Sequence, residues 1–235
     1  MIGQLVWTGR RLWRPRLAED CVRGLPILRA ELPGTSGDRR APRRWLQGAQ
    51  LLRRQGCGRL LLTGGSPAAP LLPPVSTRAL WQQMAAPLAL AFLRQAGIPP
   101  ERAVVTLRGD RVTRPLFQAC CQLMGAVRAL SLDIPRGGEE LAWWLERQHG
   151  VPVLSGRGDV GLCFAPRQED AQQLALWPEL PALPGFTLSL RSGALPEGYP
   201  ALPLLAALLE EGRVTPDEVQ VLPQSPIALP PAFGV

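Results

Sequence analysis

From residue 25 of this 235-residue chain onward, short apolar runs of β type alternate with helical patterns, and this alternation constrains the fold most. The predicted strands are residues 26–30, 59–62, 103–107, 128–132, 151–154, 160–164, 186–190 and 218–222. The predicted helices are residues 43–55, 77–95, 115–124, 139–149 and 201–211, four of which carry a clear apolar stripe. Continuous apolar strands separated by helices are typical of a mostly parallel sheet with helices on both faces. The sequence therefore predicts a doubly wound α/β fold.

The same pattern predicts two lobes and a tail. We expect an N-terminal α/β lobe over residues 1–100 with an Arg-rich segment, a second lobe over 101–222, and a Pro-rich tail over 223–235. Pro87 lies inside the helical pattern of residues 77–95 and is expected to kink or divide that helix.

The basic residues of the chain are all Arg, 26 in number, and the chain contains neither Lys nor Asn. Without Lys there is no Schiff-base amine and no phosphate-loop lysine, and a single histidine, His149, excludes a centre with several histidine ligands. Arg, Pro, Gly and Ala have GC-rich codons, so this composition indicates a high-GC bacterial genome. Several classes of catalytic chemistry are excluded in this way.

The five cysteines form no CxxC pair, so we expect neither a disulfide framework nor a metal site. No apolar stretch reaches about 18 residues, the length that a membrane-spanning helix needs, and the N-terminus does not resemble a secretory signal. These features predict a cytoplasmic protein without a membrane partner.

Positive charge is concentrated in the first 60 residues, which contain 13 Arg and four acidic residues. Six of these arginines flank the helical pattern of residues 43–55: Arg39, Arg40, Arg43, Arg44, Arg53 and Arg54. Such a face could contact nucleic-acid phosphates, but a solvated helix face explains it more simply, so a nucleic-acid partner is not our leading expectation. Of Trp143 and Trp144, one should face solvent or a partner protein, which includes a second copy of the chain.

Glycine, Arg and Asp are concentrated where the predicted strands end. In an open parallel sheet, ligands bind beyond the carboxyl ends of the strands. Glycine lets backbone N–H groups approach a ligand, helix N-termini favour anions, and Arg offers two parallel hydrogen bonds to phosphate or carboxylate. The candidate ligand-binding residues are Gly109, Asp110, Arg111, Arg114, Asp133 and Arg136, with Gly64 and Gly65 as outer contacts.

Residues 102–165 resemble the nucleotide-binding half of a Rossmann-type fold. The strand AVVTLRGD leads into a helix at Pro115, and the next strand ends at Asp133, 24 residues after Gly109. Where the fingerprint of such folds is G-x-G-x-x-G, this chain has Gly109 followed by Arg111 and Arg114 at the second and third glycine positions. The resemblance implies the topology and places Asp133 near a ribose, but it identifies no specific family. Arg111 or Arg114 would then hold the phosphates in place of backbone amides.

Few side chains are candidates for catalysis. His149 ends a helix next to Gly150, which favours a structural role. Asp110 and Asp133 could form an acid–base pair, although capping of the helix at Pro115 also explains Asp110. Cys120 and Cys121 fall on or beside a buried stripe and do not look like activated thiolates.

These observations favour a non-catalytic binding or regulatory module for a small anionic ligand. An NAD(P)- or nucleotide-dependent enzyme, similar to an oxidoreductase, is the alternative, with NAD(P) as its cofactor and Asp133 on the ribose. Association with nucleic acid through the Arg-rich N-terminal quarter is a third hypothesis.

Overall fold

The computed structural model describes residues 1–9, 14–62, 71–166, 173–180, 183 and 185–223. The strands in these residues are β1 (Ile2–Trp7), β2 (Arg16–Val22), β3 (Leu25–Leu32), β4 (Arg59–Leu61), β5 (Val104–Arg108), β6 (Ala129–Asp133), β7 (Val153–Leu154), β8 (Val160–Cys163), β9 (Gln173–Ala175), β10 (Phe186–Leu190) and β11 (Val219–Pro223). The α-helices are α1 (Ala41–Arg54), α2 (Arg78–Gln83), α3 (Ala85–Gln95), α4 (Arg114–Leu123), α5 (Gly138–His149) and α6 (Ala201–Glu210). Two short 3-10 helices cover Pro100–Arg102 and Pro216–Glu218.

The chain divides into two compact units. Unit 1 consists of Met1–Ser76 and Ser192–Thr215, and unit 2 consists of Thr77–Arg191 and Pro216–Val235. These boundaries differ from the lobes 1–100 and 101–222 that the sequence predicts. The reason is that α2 and α3 pack on α4, and α3 also packs on β8, so both helices join the second sheet. The tail over residues 224–235 lies outside the described residues.

Unit 1 contains a four-stranded mixed sheet in the order β2-β3-β1-β4. Strands β3 and β4 run parallel to β1, whereas β2 is antiparallel to β3. Helix α1 covers one face and buries Trp45, Ala49 and Leu52 against that face. The helix approaches the sheet closely because Gly48 has no side chain: a Cβ there would lie 2.6 Å from Leu32 Cδ2.

Unit 2 contains a five-stranded sheet in the order β7-β6-β5-β8-β9, and every pairing in it is parallel. Helices α4 and α5 follow β5 and β6, as parallel pairing requires. The rings of Phe117 on α4 and Trp144 on α5 lie 5.2 Å apart, and α3 packs on α4. An antiparallel pair, β10 and β11, belongs to the same unit and packs on α3 through β11.

The connection between β7 and β8 passes over β6 and β5 without forming a helix. The Ser131 hydroxyl donates to the Gly156 carbonyl oxygen at 2.5 Å, and the Gly158 N–H donates to Thr106 Oγ1 at 2.7 Å. Asp159 then exchanges two hydrogen bonds with Val104, one through its carboxylate and one through its N–H, each 2.8 Å long. These bonds satisfy the buried polar side chains of Thr106 and Ser131.

The α/β class predicted from the sequence is confirmed, and each predicted strand and helix overlaps an observed one. Strands β1, β2 and β9 are absent from the prediction. The sequence of β2, RLAEDCV, is that of a charged edge strand, and Gly3 and Gln4 interrupt the apolar pattern of β1. The pattern of residues 77–95 divides at Met84, and Pro87 lies in the first turn of α3, where a missing N–H costs little. Within the described parts of the chain, no helix is both long and apolar enough to cross a membrane.

Candidate functional site

The carboxyl ends of β5 and β6 lie side by side in unit 2. Arg108 and Asp133 are the last pair of the ladder, and the Gly109 N–H donates to the Asp133 carbonyl oxygen at 3.2 Å. Beyond the strands, Arg111 and Arg136 form an isolated parallel bridge. The two loops therefore meet, and the structure brings all six predicted site residues from Gly109 to Arg136 to one edge of the sheet.

The charged side chains at this edge differ in how they are used. Asp133 is partly exposed and forms an ion pair with Arg108, whose Nε lies 3.5 Å from Oδ2. The Arg108 side chain is only 13% exposed, so its charge interacts mainly with Asp133 at the sheet edge. By contrast, Arg111, Arg114 and Arg136 are exposed, and no ion pair joins them to any described residue. These three guanidinium groups can therefore bind an anion without first breaking an ion pair. We call them, with Asp110, the Arg edge.

Helix α4 begins at the Arg edge with Arg114 as its first residue. Its N-cap is Thr113, whose extended backbone (φ −110°, ψ 159°) leads into Pro115 in the first turn, and no side chain caps the helix. The hypothesis that Asp110 caps this helix is wrong, because the N-cap residue is Thr113, three residues further on. The first turn contains no acidic residue, so the positive end of the helix dipole adds to the charge of Arg114.

Gly109 occupies the position where the chain leaves β5. It is buried, and a Cβ there would lie 3.0 Å from Leu116 Cδ1. The Phe164 N–H donates to the Arg108 carbonyl oxygen at 2.8 Å, so the end of β8 lies on the other side of β5. Strand β5 thus has β6 on one side and β8 on the other, and the loop at Gly109 opens between them.

The start of α5, the second helix at this edge, is a weaker anion site. Its N-cap is Gly137 with φ 80°, a left-handed conformation that favours glycine, and its first turn contains Glu139 and Glu140. These carboxylates interact favourably with the helix dipole and would repel an anion. Gly64 and Gly65, the predicted outer contacts, lie outside the described residues.

The other candidates singled out in the sequence take structural positions. His149 is the last residue of α5, and its ring meets Trp144 edge-on at 4.3 Å. Burial raises the pKa of the Cys120 thiol to about 12 and also raises the pKa of Cys121, so neither is a thiolate near neutral pH. Trp143 is 56% exposed while Trp144 packs on Phe117, which confirms that one tryptophan of the pair faces outward.

Sequence reasoning missed a polar cluster in unit 1. The Tyr199 hydroxyl donates to Asp20 Oδ2, and the Arg29 guanidinium lies 3.5 Å from the same carboxylate and 5.2 Å from the centre of the tyrosine ring. Gln4 donates from Nε2 to the Gly198 carbonyl oxygen at 2.7 Å. These contacts tie the segment before α6 to the sheet face opposite α1. The local sequence shows only that Tyr199 precedes Pro200, the N-cap residue of α6. It could not indicate the bond to Asp20, which lies 179 residues away in the chain.

We expect Tyr199→Phe to lower the free energy of unfolding at pH 7 by about 1–2 kcal/mol, because it removes a hydrogen bond to a partly exposed carboxylate. Burial and the bond to Asp20 raise the pKa of Tyr199 from 10 to about 12, so its contribution is complete below pH 10 and is lost between about pH 10 and 12. The hydrogen bonds from Tyr199 and the Cys21 N–H lower the pKa of Asp20 below its ordinary value of 3.8. The stabilisation from the ionised Asp20 carboxylate is therefore present above pH 3.8 and is lost as the pH falls through the lowered pKa.

Urea unfolding of wild type and Tyr199→Phe at pH 3, 7 and 11 measures these contributions. Tyr199 is the sole tyrosine, so no other phenol titrates between pH 10 and 12. The stability difference between the two proteins should be largest near pH 7 and should shrink toward both extremes. A difference that is constant across this pH range would contradict the assignment.

Described residues of unit 1 line two surface cavities considered as ligand sites. One, of about 490 Å³, is lined by Met1, Glu19, Asp20, Cys21, Pro26, Ile27 and Leu28. Its described lining carries two carboxylates and no Arg, so it does not suit an anion. The other, of about 440 Å³, is lined by Arg14, Pro15, Gln47, Gln50, Leu51 and Arg54.

No group of three His, Cys, Asp or Glu side chains that could hold a metal ion occurs among the residues the structure describes. All five cysteines are described, and all are free thiols. A scan against protein-family models and a search of curated proteins each found no match.

Proposed function

We propose that unit 2 is a doubly wound, Rossmann-like module of nucleotide-binding type that binds a small anionic ligand at the Arg edge. Its strand order supports this proposal. When the five strands of the sheet are numbered in chain order, β7-β6-β5-β8-β9 becomes 3-2-1-4-5, the order of the first five strands of dinucleotide-binding folds. Ligands of such sheets bind where the strand order reverses, and here that point lies beside Gly109.

One observation carries the choice of an anionic ligand. Arg111, Arg114 and Arg136 are exposed without an ion pair to any described residue, and they lie where α4 begins without a side-chain cap. Guanidinium groups bind phosphate or carboxylate through two parallel hydrogen bonds, and the helix N-terminus adds positive potential. Gly109 has no side chain, which allows a ligand to approach the backbone where β5 ends.

A small ligand is favoured over a dinucleotide for two reasons. Arg111 and Arg114 stand where glycines normally allow close contact with a pyrophosphate. In addition, the Val112 N–H donates to the Arg136 carbonyl oxygen at 3.2 Å, which joins the two loops where a dinucleotide would lie between them. We therefore propose a binding or regulatory role without a catalytic step. From the composition of the chain, we also propose that the protein is cytoplasmic and bacterial.

The alternative, an NAD(P)- or nucleotide-dependent enzyme, is favoured by one observation. Asp133 ends the second strand of the sheet in chain order, the position from which an acidic residue binds a ribose hydroxyl. Its carboxylate is engaged by Arg108, so ribose binding would have to compete with that ion pair.

Isothermal titration of the full chain with pyrophosphate, ATP, NAD⁺ and NADP⁺ tests the proposal. We expect at least one phosphate-bearing probe to bind, and we expect Arg111→Ala to weaken its binding at least tenfold, because a charge-assisted hydrogen bond contributes about 1.5–3 kcal/mol. The matched control is Arg128→Ala, an exposed arginine elsewhere in unit 2, which should leave the affinity unchanged.

The outcomes distinguish the two functions. Binding of pyrophosphate and ATP that depends on Arg111 but not on Asp133 supports a small-anion site. Tight binding of NAD⁺ or NADP⁺ that Asp133→Ala weakens would favour the enzyme. If no probe binds, or if Arg128→Ala weakens binding as much as Arg111→Ala does, the Arg edge is not an anion site.

A further inference from the structure

The outer face of α1 presents a row of polar side chains to solvent. Arg43, Gln47, Gln50 and Arg54 lie at helical spacing on the face opposite the buried Trp45, and all four are exposed. With a rise of 1.5 Å per residue, the row is about 16 Å long. It is therefore an extended feature rather than a single point of charge.

A groove runs beside this row. The cavity of about 440 Å³ in unit 1 lies between Arg14, which precedes β2, and the helix residues Gln47, Gln50 and Arg54. Its described lining contains two guanidinium groups, two side-chain amides and no carboxylate. The described lining of the groove therefore carries a net positive charge.

No residue that the structure describes engages the arginines of this face. Arg14, Arg43 and Arg54 make no ion pair or side-chain hydrogen bond with any described residue. Arg44, on the flank of the same helix, differs: its Nη1 lies 2.8 Å from Asp38 Oδ2 and 3.0 Å from the Pro33 carbonyl oxygen. Arg44 therefore stabilises the loop before α1, whereas the outer arginines remain available to a ligand.

We propose that this groove, formed by Arg14 and the outer face of α1, binds the phosphodiester backbone of a nucleic acid. The observation that favours a strand over a small phosphate is linearity, since the groups do not converge on one point. Successive phosphates of one duplex strand are about 3.4 Å apart along the helix axis and further apart along the winding strand, so a row of this length is long enough to meet more than one of them. The lining that the structure describes contains no aromatic ring on which bases could stack, which predicts contacts to the backbone without sequence preference.

Charge in unit 1 agrees with this occupant. Unit 1 contains 14 Arg against seven acidic residues, whereas unit 2 contains 12 Arg and 12 acidic residues. Binding would release the counterions condensed on the phosphates, so the affinity should fall steeply with salt. The glutamines can donate to phosphate or sugar oxygens between the two ends of the row.

Fluorescence anisotropy with a labelled 20-nucleotide single strand and a 20-base-pair duplex, from 50 to 200 mM salt, tests the proposal. The variant is Arg14→Gln/Arg43→Gln/Arg54→Gln. Its control, Arg94→Gln/Arg102→Gln/Arg128→Gln, removes the same charge from exposed positions of unit 2. Circular dichroism checks that both variants fold.

We expect wild type and the control to bind at 50 mM salt and the groove variant to bind at least tenfold more weakly. Its slope of log affinity against log salt should be smaller by about two to three, since each lost phosphate contact accounts for about 0.7–0.9. A preference for the single strand or the duplex identifies the form of nucleic acid, and either one supports the proposal. The proposal is overturned if wild type binds neither nucleic acid, if it binds only heparin, or if both variants lose affinity equally.

Discussion

Replacing Gly158 with Ala is expected to lower the free energy of unfolding of unit 2 by about 3 kcal/mol or more. A Cβ at this position would overlap the Val104 carbonyl oxygen and lie 2.8 Å from the carbonyl carbon. Both atoms are backbone in the central strand β5, so no side chain can turn aside to make room, as it can in most overpacked sites. The β7–β8 connection would have to move away from the sheet.

That movement would break several bonds together. Gly158 donates to Thr106, and Asp159 exchanges two bonds with Val104, so a shift of the connection leaves the buried Thr106 hydroxyl without its donor. Each buried polar group left without a partner costs about 1–3 kcal/mol, which adds to the steric cost. Urea unfolding followed by circular dichroism measures the loss.

Gly125→Ala is the matched control in the same unit. A Cβ at Gly125 meets nothing within 4 Å, and its φ is not in the left-handed region, so Ala should be neutral or stabilising by a few tenths of a kcal/mol. If Gly158→Ala were as stable as Gly125→Ala, the crossing of the β7–β8 connection over β5 would be wrong.

The second large effect is expected in the core of unit 1, between α1 and β1. Leu52 is fully buried, and its Cδ1 lies 2.9 Å from the position that a Cβ on Gly3 would occupy. Leu52→Ala should cost about 3–4 kcal/mol through lost burial and a cavity, and Gly3→Ala should cost about 1–3 kcal/mol because it forces Leu52 and Leu60 to move.

The two changes should compensate when they are combined. Truncation of Leu52 opens the space that a methyl group at position 3 needs. The double variant Gly3→Ala/Leu52→Ala should therefore lose about 1 kcal/mol less unfolding free energy than the two single variants lose together. Unfolding free energies of the four proteins complete the double-mutant cycle. Costs that add within about 0.5 kcal/mol would show that Leu52 does not fill the space beside Gly3.

The local pattern of apolar residues predicted most helices and strands close to their observed bounds. The strand at Phe186–Leu190 was predicted with its observed bounds, and α5 differs from its predicted range by one residue at its start. Strand β2 was missed because an edge strand has one unpaired side and tolerates charged residues, so its pattern lacks the apolar alternation on which the prediction depended. Strand β9 has only three residues, too few for a period to be recognised.

The candidate site was predictable in part, because carboxyl ends of parallel strands meet at one edge whatever their order. This rule correctly grouped Gly109, Arg111, Asp133 and Arg136 before the strand order was known. It could not show that Arg108 pairs with Asp133, or that the N-cap residue of α4 is Thr113 and not Asp110. Those contacts depend on strand register and on where a helix starts, and neither is a property of the local sequence.

The sequence by itself determined the α/β class, the positions of most helices and strands, and the excess of Arg in the first quarter of the chain, because side-chain period and composition are local properties. Only the tertiary structure decided the order of the strands, the membership of residues 77–95 in unit 2 and of residues 192–215 in unit 1, and the tie between Tyr199 and Asp20. These features join residues far apart in the chain. They are set by which buried surfaces fit one another, and no sequence period records that fit.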